Sequence, residues 1–442
     1  MTSIQEKLSA LIASGEFDPH YYATAYPDVS ETGLDPAEHF LWIGARLGRL
    51  GRPVKDLHAS SRPDRLDVLF VDGTNGTSST QYRVHHVARG LTRCGLNVDY
   101  ISGDELRTAD WESLLSRFVV FFRAPFWEQY SAFAEAMRVN GSTIVYDIDD
   151  LVFDEELIPI IDGYRWLSEP EKLGYVRGVR AYREFLLYAD VCTAPTEFLA
   201  DQMRALGKRA FRVRNTLAES EIGKFRAKLP VRDKRERFVV GYYSGSKTHQ
   251  ADFRNAGEAL ADFMDENPSV DFRLVGAFDL FEYPRLQKWS QTSGAGPRVR
   301  QVGLMPHSQM LEDQLECDLI IAPLEVGNAF CEAKSELKFF EAGLVRRPTI
   351  ASPTRTFREA SADGQYCQLA DYREEWLRAY SRAFRGKKQT HAQANEVHEY
   401  VIREYAPAAA GADALAAYSG SLISAWPPFS SRSAVANSDA MG

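Results

Sequence analysis

From Leu66 onward the apolar positions fall into short runs of branched and aromatic residues, separated by stretches in which they recur every three or four places. Leu66-Asp67-Val68-Leu69-Phe70-Val71 reads as a strand, followed by a loop carrying Gly73 and Gly76. The next segment sets Val84, Val87, Ala88 and Leu91 at i, i+3, i+4 and i+7, one buried helical stripe. Further strands are expected at 98–101, 118–122, 143–146, 191–194 and 211–214. Strands alternating with helices imply parallel βα units. A charged, Pro-containing stretch at 227–237 interrupts the series, which restarts at Phe238-Val239-Val240-Gly241-Tyr242-Tyr243. Strands follow at 272–275, 299–302, 319–322 and 349–351, then helical sequence from about Tyr372 to Tyr405.

The pattern therefore predicts an α/β chain with two facing Rossmann-like halves, 65–226 and 236–385. A helical segment at 386–418 is a candidate to cross back to the first half, and the Ser-, Ala- and Pro-rich stretch 419–442 reads as a disordered tail. Residues 1–57 form a small helical module: Asp18-Pro19 and Asp35-Pro36 place Asp as N-cap and Pro in the first turn of short helices with aromatic anchors.

Composition narrows the class without naming the chemistry. The 442 residues suffice for two or three cores, and 12% aromatics exclude a disordered chain. A net charge of −9 argues against a nucleic-acid binder. Cys94, Cys192, Cys317, Cys331 and Cys367 are too scattered for a disulfide framework or zinc site and read as free thiols. The first residues lack the layout of a signal peptide, and no apolar run approaches the roughly 18 residues of a membrane span. A cytoplasmic location is expected.

Open parallel sheets bind ligands at the carboxyl ends of their strands, so post-strand loops are the places to search. In 329–343, read as one helix, Ala333, Leu337, Phe340 and Leu344 form the apolar stripe and Lys334, Lys338 and Glu341 a polar one. Two lysines and Ser335 at a helix N-terminus suit a diphosphate, and Glu341 suits ribose hydroxyls. Taken alone, the segment favours an ordinary amphipathic helix with surface charge pairs. In 241–253, a strand runs into the small-residue turn Gly245-Ser246 with Lys247 beside it, again fitted to phosphate but without P-loop spacing. In 146–154, Asp147, Asp149, Asp150 and Asp154 need a cation, arginines or hydroxyls to offset their repulsion, or serve as helix caps. The first-half loop with Gly76, Thr77 and Arg83 faces the same cleft, Arg83 being placed to reach an anion. His85-His86 reads as packing, and spacing assigns no Ser-His-Asp or Cys-His pattern.

These segments, with Thr193–Leu199, Arg214-Asn215 and Pro348–Ser352, occur in the order seen in retaining glycosyltransferases of the bacterial family 4-like group, and the chain resembles them from Leu66 to Tyr405. The segment 17–53 resembles a helical module found beside such enzymes in polysaccharide synthesis. The resemblance implies the GT-B fold and transfer of a sugar from a nucleotide-diphosphate donor to a hydroxyl of a glycan, lipid-linked or protein acceptor, with retained configuration. It places donor contacts at Gly245, Ser246, Lys247, Lys334, Ser335, Lys338 and Glu341. Asp149, Asp150 and Glu332 come near the reacting sugar, and Gly76, Thr77, Arg83 and Asp147 lie on the acceptor side. It implies no bound metal and no cofactor, since lysines and helix ends neutralise the leaving diphosphate. The family spaces two glutamates with seven residues between them; here Glu332 and Glu341 have eight, and Ala333 holds the expected place. A lipid-linked acceptor makes Arg46, Arg49 and Arg52 candidates for peripheral contact with the inner membrane face. The rivals are a sugar-nucleotide epimerase of the same architecture and a non-catalytic scaffold of a polysaccharide-assembly complex.

Overall fold

The computed structural model describes residues 17–44, 49, 65–226, 237–245, 250–290 and 297–419. Ser246, Lys247, Arg46, Arg52, the interdomain linker at 227–236 and the tail from 420 lie outside the described residues.

Strands β1 (Leu66–Asp72), β2 (Val98–Ser102), β3 (Ser116–Phe122), β4 (Thr143–Asp147), β5 (Val191–Ala194) and β6 (Ala210–Arg212) build the first sheet. Its order is β2-β1-β3-β4-β5-β6, with every pair parallel. The second sheet contains β7 (Phe238–Ser244), β8 (Val270–Gly276), β9 (Val299–Val302), β10 (Leu319–Ala322), β11 (Thr349–Ala351) and β12 (Gln368–Leu369). It is again all parallel, in the order β12-β11-β10-β7-β8-β9. Strand order reverses between β1 and β3 in one sheet and between β7 and β10 in the other, the switch points outside which such sheets hold ligands.

Both faces of the central strands are covered, which is why 68–71, 118–122 and 319–322 read as apolar runs, whereas the edge strands β2 and β9 carry exposed polar residues. On β1, Leu69 and Val71 pack with Phe133 and Met137 of the helix Glu128–Val139. Val68 and Phe70 face the other way, toward Val87 and Leu91 of the helix Val87–Arg93. Each such side chain contributes about 1.5–3 kcal/mol on burial.

The last described helix, Pro407–Ser419, leaves the second half and lies on this same first-half layer, where Ala410, Ala414 and Tyr418 join its core. Its axis passes so near Val87–Arg93 that a Cβ on Gly411 would sit 2.3 Å from the carbonyl carbon of Gly90. Tyr418 stacks on Phe118 at 5.2 Å, and Arg214 Nε donates to Asp413 at 2.7 Å.

At the N-terminal end, Asp18 accepts from Tyr21 N–H at 3.0 Å and Asp35 from Ala37 N–H at 2.9 Å, capping two short helices. Phe17, Tyr22, Tyr26 and Phe40 form their buried cluster. Arg49 is paired with Asp28 at 2.8 Å and covers the Tyr26 ring. Among the described residues no helix is long and apolar enough to cross a membrane.

One expected element is different. The segment 329–343 is not a single helix but two, Ala329–Glu332 and Leu337–Leu344, with Lys334 and Ser335 in the break. The Ala333 carbonyl, which in a continuous helix would accept from the N–H of Leu337, instead accepts the Thr196 hydroxyl of the first half at 3.1 Å. A tertiary hydrogen bond thus replaces a helical one.

Candidate functional site

The carboxyl ends of the two sheets face each other across a cavity of about 210 Å³. Its first-half wall carries Ser79, Tyr82, Arg83, Asp149, Asp150 and Asn215. The second-half wall carries Gly245, the loop after β10, and Lys334, Ser335 and Lys338.

On the first wall, the loop after β1 is folded onto Asp72, whose carboxylate accepts from Thr74 N–H and Gly76 N–H, both at 2.9 Å. A Cβ on Gly73 would lie 2.4 Å from Ala124 Cα, so only glycine lets the β1 and β3 loops close against each other. Gly76 and Thr77 are exposed and stand off the cavity. The chain then enters a π-helical stretch, Gln81–His86, a geometry frequent at functional sites, which carries Tyr82 and Arg83. His86 is buried, its Nδ1 2.7 Å from the Thr216 carbonyl oxygen.

Arg83 is buried and largely occupied. It donates to both oxygens of Asp147, at 2.9 and 2.6 Å, to the Val213 carbonyl at 2.5 Å and to Asn215 Oδ1 at 3.0 Å. Asp147 also accepts the Thr193 hydroxyl at 2.6 Å. Asp147 is therefore a brace behind the wall, not part of the cavity lining.

Arg123 is a central residue that sequence reasoning missed. It pairs with both Asp149 and Asp150 and has a left-handed backbone with φ of 45°. Non-glycine residues held in that region cluster at functional sites. The signal available was an arginine directly after the apolar run Phe118–Phe122 of β3, at the switch point. Burial, opposed by Arg123, raises the Asp149 carboxyl above its ordinary value. Burial also disfavours the charge on Asp150, but Lys334 and Arg123 outweigh it and hold that carboxyl low.

Lys334 reaches across the cleft to Asp150 at 2.6 Å, and its Nζ lies 4.2 Å from the centre of the Phe330 ring. Asn215 Nδ2 donates to Ser335 Oγ at 3.1 Å, another bond between the halves. Lys338 differs: it lines the cavity, yet among the described residues its ammonium makes no hydrogen bond or ion pair. Burial lowers its pKa, against the pull of Asp252 and Glu341.

Glu341 lies behind this wall, 6% exposed. It accepts the Tyr82 hydroxyl from the first half and a bond from His307 Nε2 at 3.0 Å. His307 Nδ1 is 3.1 Å from Glu221. Burial alone would depress His307, but Glu221 and Glu341 together push it up to about 10. A charged imidazole thus ties the halves. Glu332 also stands off the cavity, its two oxygens accepting from Gly327 N–H and Arg355 N–H, each at 3.0 Å.

Metal-ligand types meet elsewhere. Asp252, Glu325 and Cys331 place ligand atoms within 4.8 Å of one another, but the Cys331 thiol donates to Asp252 at 3.1 Å and burial keeps it protonated. Asp147, Asp149 and Asp150 each have an arginine partner instead.

No protein-family model matches the sequence, and comparison with curated proteins finds no match. Solved structures do match in fold. Anabaena HepE in complex with UDP is 16% identical, with a TM-score of 0.51 over 80% of this chain and 100% of that one. Sucrose-phosphate synthase of Thermosynechococcus elongatus is 13% identical, with a TM-score of 0.53 over 80% of this chain and 99% of the other. OtsA in its apo form is 11% identical, with a TM-score of 0.53 over 82% and 100%. With two parallel six-stranded sheets facing each other across a cleft, the chain has the GT-B fold.

Proposed function

We propose that the protein is a glycosyltransferase that moves a sugar from a nucleoside-diphosphate donor to a hydroxyl acceptor, with retention of configuration and without a bound metal. The observation that carries this reading is Lys338: a half-buried ammonium without a hydrogen-bonding partner among the described residues, lining a cleft between two switch points. Leaving such a charge unpaired is unfavourable, and a diphosphate would satisfy it. Lys334 beside it adds a second positive charge. HepE, which shares the fold, is known in complex with UDP and with UDP-glucose.

In this reading the second half binds the donor and the first half the acceptor. Lys334, Ser335 and Lys338 stabilise charge as it develops on the leaving diphosphate, where electrostatic positioning gives most of the rate. Asp149 and Asp150 sit opposite and orient hydroxyls of the reacting sugar or acceptor. A phosphate oxygen takes the acceptor proton on the face from which the diphosphate leaves. The arginine partners of Asp147, Asp149 and Asp150 support the metal-free form of this reading. A glycan or lipid-linked acceptor in polysaccharide synthesis, met in the cytoplasm or at the inner membrane face, fits the resemblance.

The direct test is a screen of nucleotide-sugar donors against hydroxyl acceptors by mass spectrometry, repeated in EDTA. Transfer that persists in EDTA is expected. Transfer abolished by EDTA and restored by Mn²⁺ would contradict the metal-free mechanism, and donor turnover to an epimer without acceptor would replace transfer altogether.

A further inference from the structure

Among the described residues the second half offers three candidate donor side chains besides Lys338, and each is already bonded to a side chain of the first half. Lys334 holds Asp150 at 2.6 Å, Ser335 holds Asn215 at 3.1 Å, and Glu341 holds the Tyr82 hydroxyl. The three partners come from separate chain segments, so no single turn explains the coincidence. Their chemistry also matches what they displace. A carboxylate on an ammonium takes the place of a phosphate oxygen, and a hydroxyl on a carboxylate takes the place of a ribose hydroxyl.

We infer that the first half acts as an internal plug: Asp150 and Tyr82 occupy the diphosphate and ribose positions, and a nucleotide binds by displacing them as the cleft opens. The inference rests on the nucleotide-sugar reading and deepens it. The cavity, about 210 Å³, is smaller than the roughly 300–1,000 Å³ of small-molecule sites, so a nucleotide needs the wall to move. The exchange strands neither carboxylate. Asp150 keeps Arg123 from its own half after losing Lys334, and Glu341 keeps His307 from its own half after losing Tyr82.

The plug makes two selective predictions, read by isothermal titration of the full chain with pyrophosphate, with UDP, ADP and GDP, and with 2′,3′-dideoxy nucleoside diphosphates. Asp150→Asn should tighten all of these ligands alike, by about tenfold, the scale of one charge-assisted hydrogen bond. Tyr82→Phe should tighten the nucleoside diphosphates, dideoxy forms included, because any nucleoside must break the Tyr82–Glu341 bond, and leave pyrophosphate, which displaces Asp150 alone, unchanged. Unchanged or weakened binding in either variant overturns the plug, as does a Tyr82→Phe gain that extends to pyrophosphate. Tyr82→Phe removes a single oxygen atom and stands as an independent test should Asp150→Asn fail to fold. Lys338→Ala separates the two levels. Binding that Lys338→Ala weakens but the other two variants do not improve removes the plug alone. No diphosphate binding by any of the proteins removes the nucleotide reading and the plug together.

Discussion

Lys334 and Lys338 are four residues apart and differ in the one respect that matters, the partner. Lys334 is neutralised by Asp150, whereas Lys338 has no hydrogen-bond or ion-pair partner among the described residues. Lys338→Ala is expected to weaken pyrophosphate and nucleoside-diphosphate binding by roughly ten- to a hundredfold, since hydrogen bonds to charged groups are worth about 1.5–3 kcal/mol. The thermal midpoint should hold or rise, because a half-buried charge without a partner among the described residues has been removed. Unchanged affinity in titration takes Lys338 out of the site. The residue types at this wall were legible because they follow an expected strand, where parallel sheets hold ligands. Their pairing was not, because Asp150, Asn215 and Tyr82 come from positions more than a hundred residues away. Arg123 escaped notice for a related reason: its importance lies in a left-handed backbone and two carboxylates that only the folded chain brings to it.

At the scale of elements, burial on both faces turned most strands into unmistakable apolar runs, whereas β12, two half-buried residues, left no periodicity to read. The break between Ala329–Glu332 and Leu337–Leu344 is invisible locally, since the apolar stripe continues through it; Thr196 decides it from across the cleft. The contact between helices Val87–Arg93 and Pro407–Ser419 depends on two glycines. Gly411→Ala puts a methyl carbon 2.3 Å from the Gly90 carbonyl carbon, forcing the helices apart. A loss of about 1–3 kcal/mol is expected in denaturant unfolding, the range for overpacking. Gly178→Ala is the control: it lies in the helix Glu169–Tyr188 with nothing within 4 Å of the new carbon, and should be neutral or stabilising. Equal effects at the two positions would mean the close crossing is not what matters.

For the whole molecule, the tie Glu221–His307–Glu341–Tyr82 joins the halves and makes their association depend on pH. His307 is raised from 6.5 to about 10 in the folded protein by its two glutamates. A histidine raised on folding contributes stability that is complete below the unfolded value of about 6.5 and is lost as pH climbs through the folded value. The stability difference between wild type and His307→Gln should therefore be largest at pH 6 and shrink steadily toward pH 10; a flat difference would show that the imidazolium is not what holds the tie. The alternation of apolar runs and helical stripes by itself determined two α/β halves, because burying both faces of a parallel sheet demands that pattern wherever the sheet occurs. Which loops would hold charged groups followed too, from the rule that parallel strands present their carboxyl ends to ligands. Only the tertiary structure decided which groups are already satisfied and which are not. Hydrogen bonds and ion pairs act over about 3 Å of space without regard to separation along the chain, so the partners of Glu341, Lys334 and Ser335, and the absence of one for Lys338 among the described residues, were settled when the two sheets came face to face.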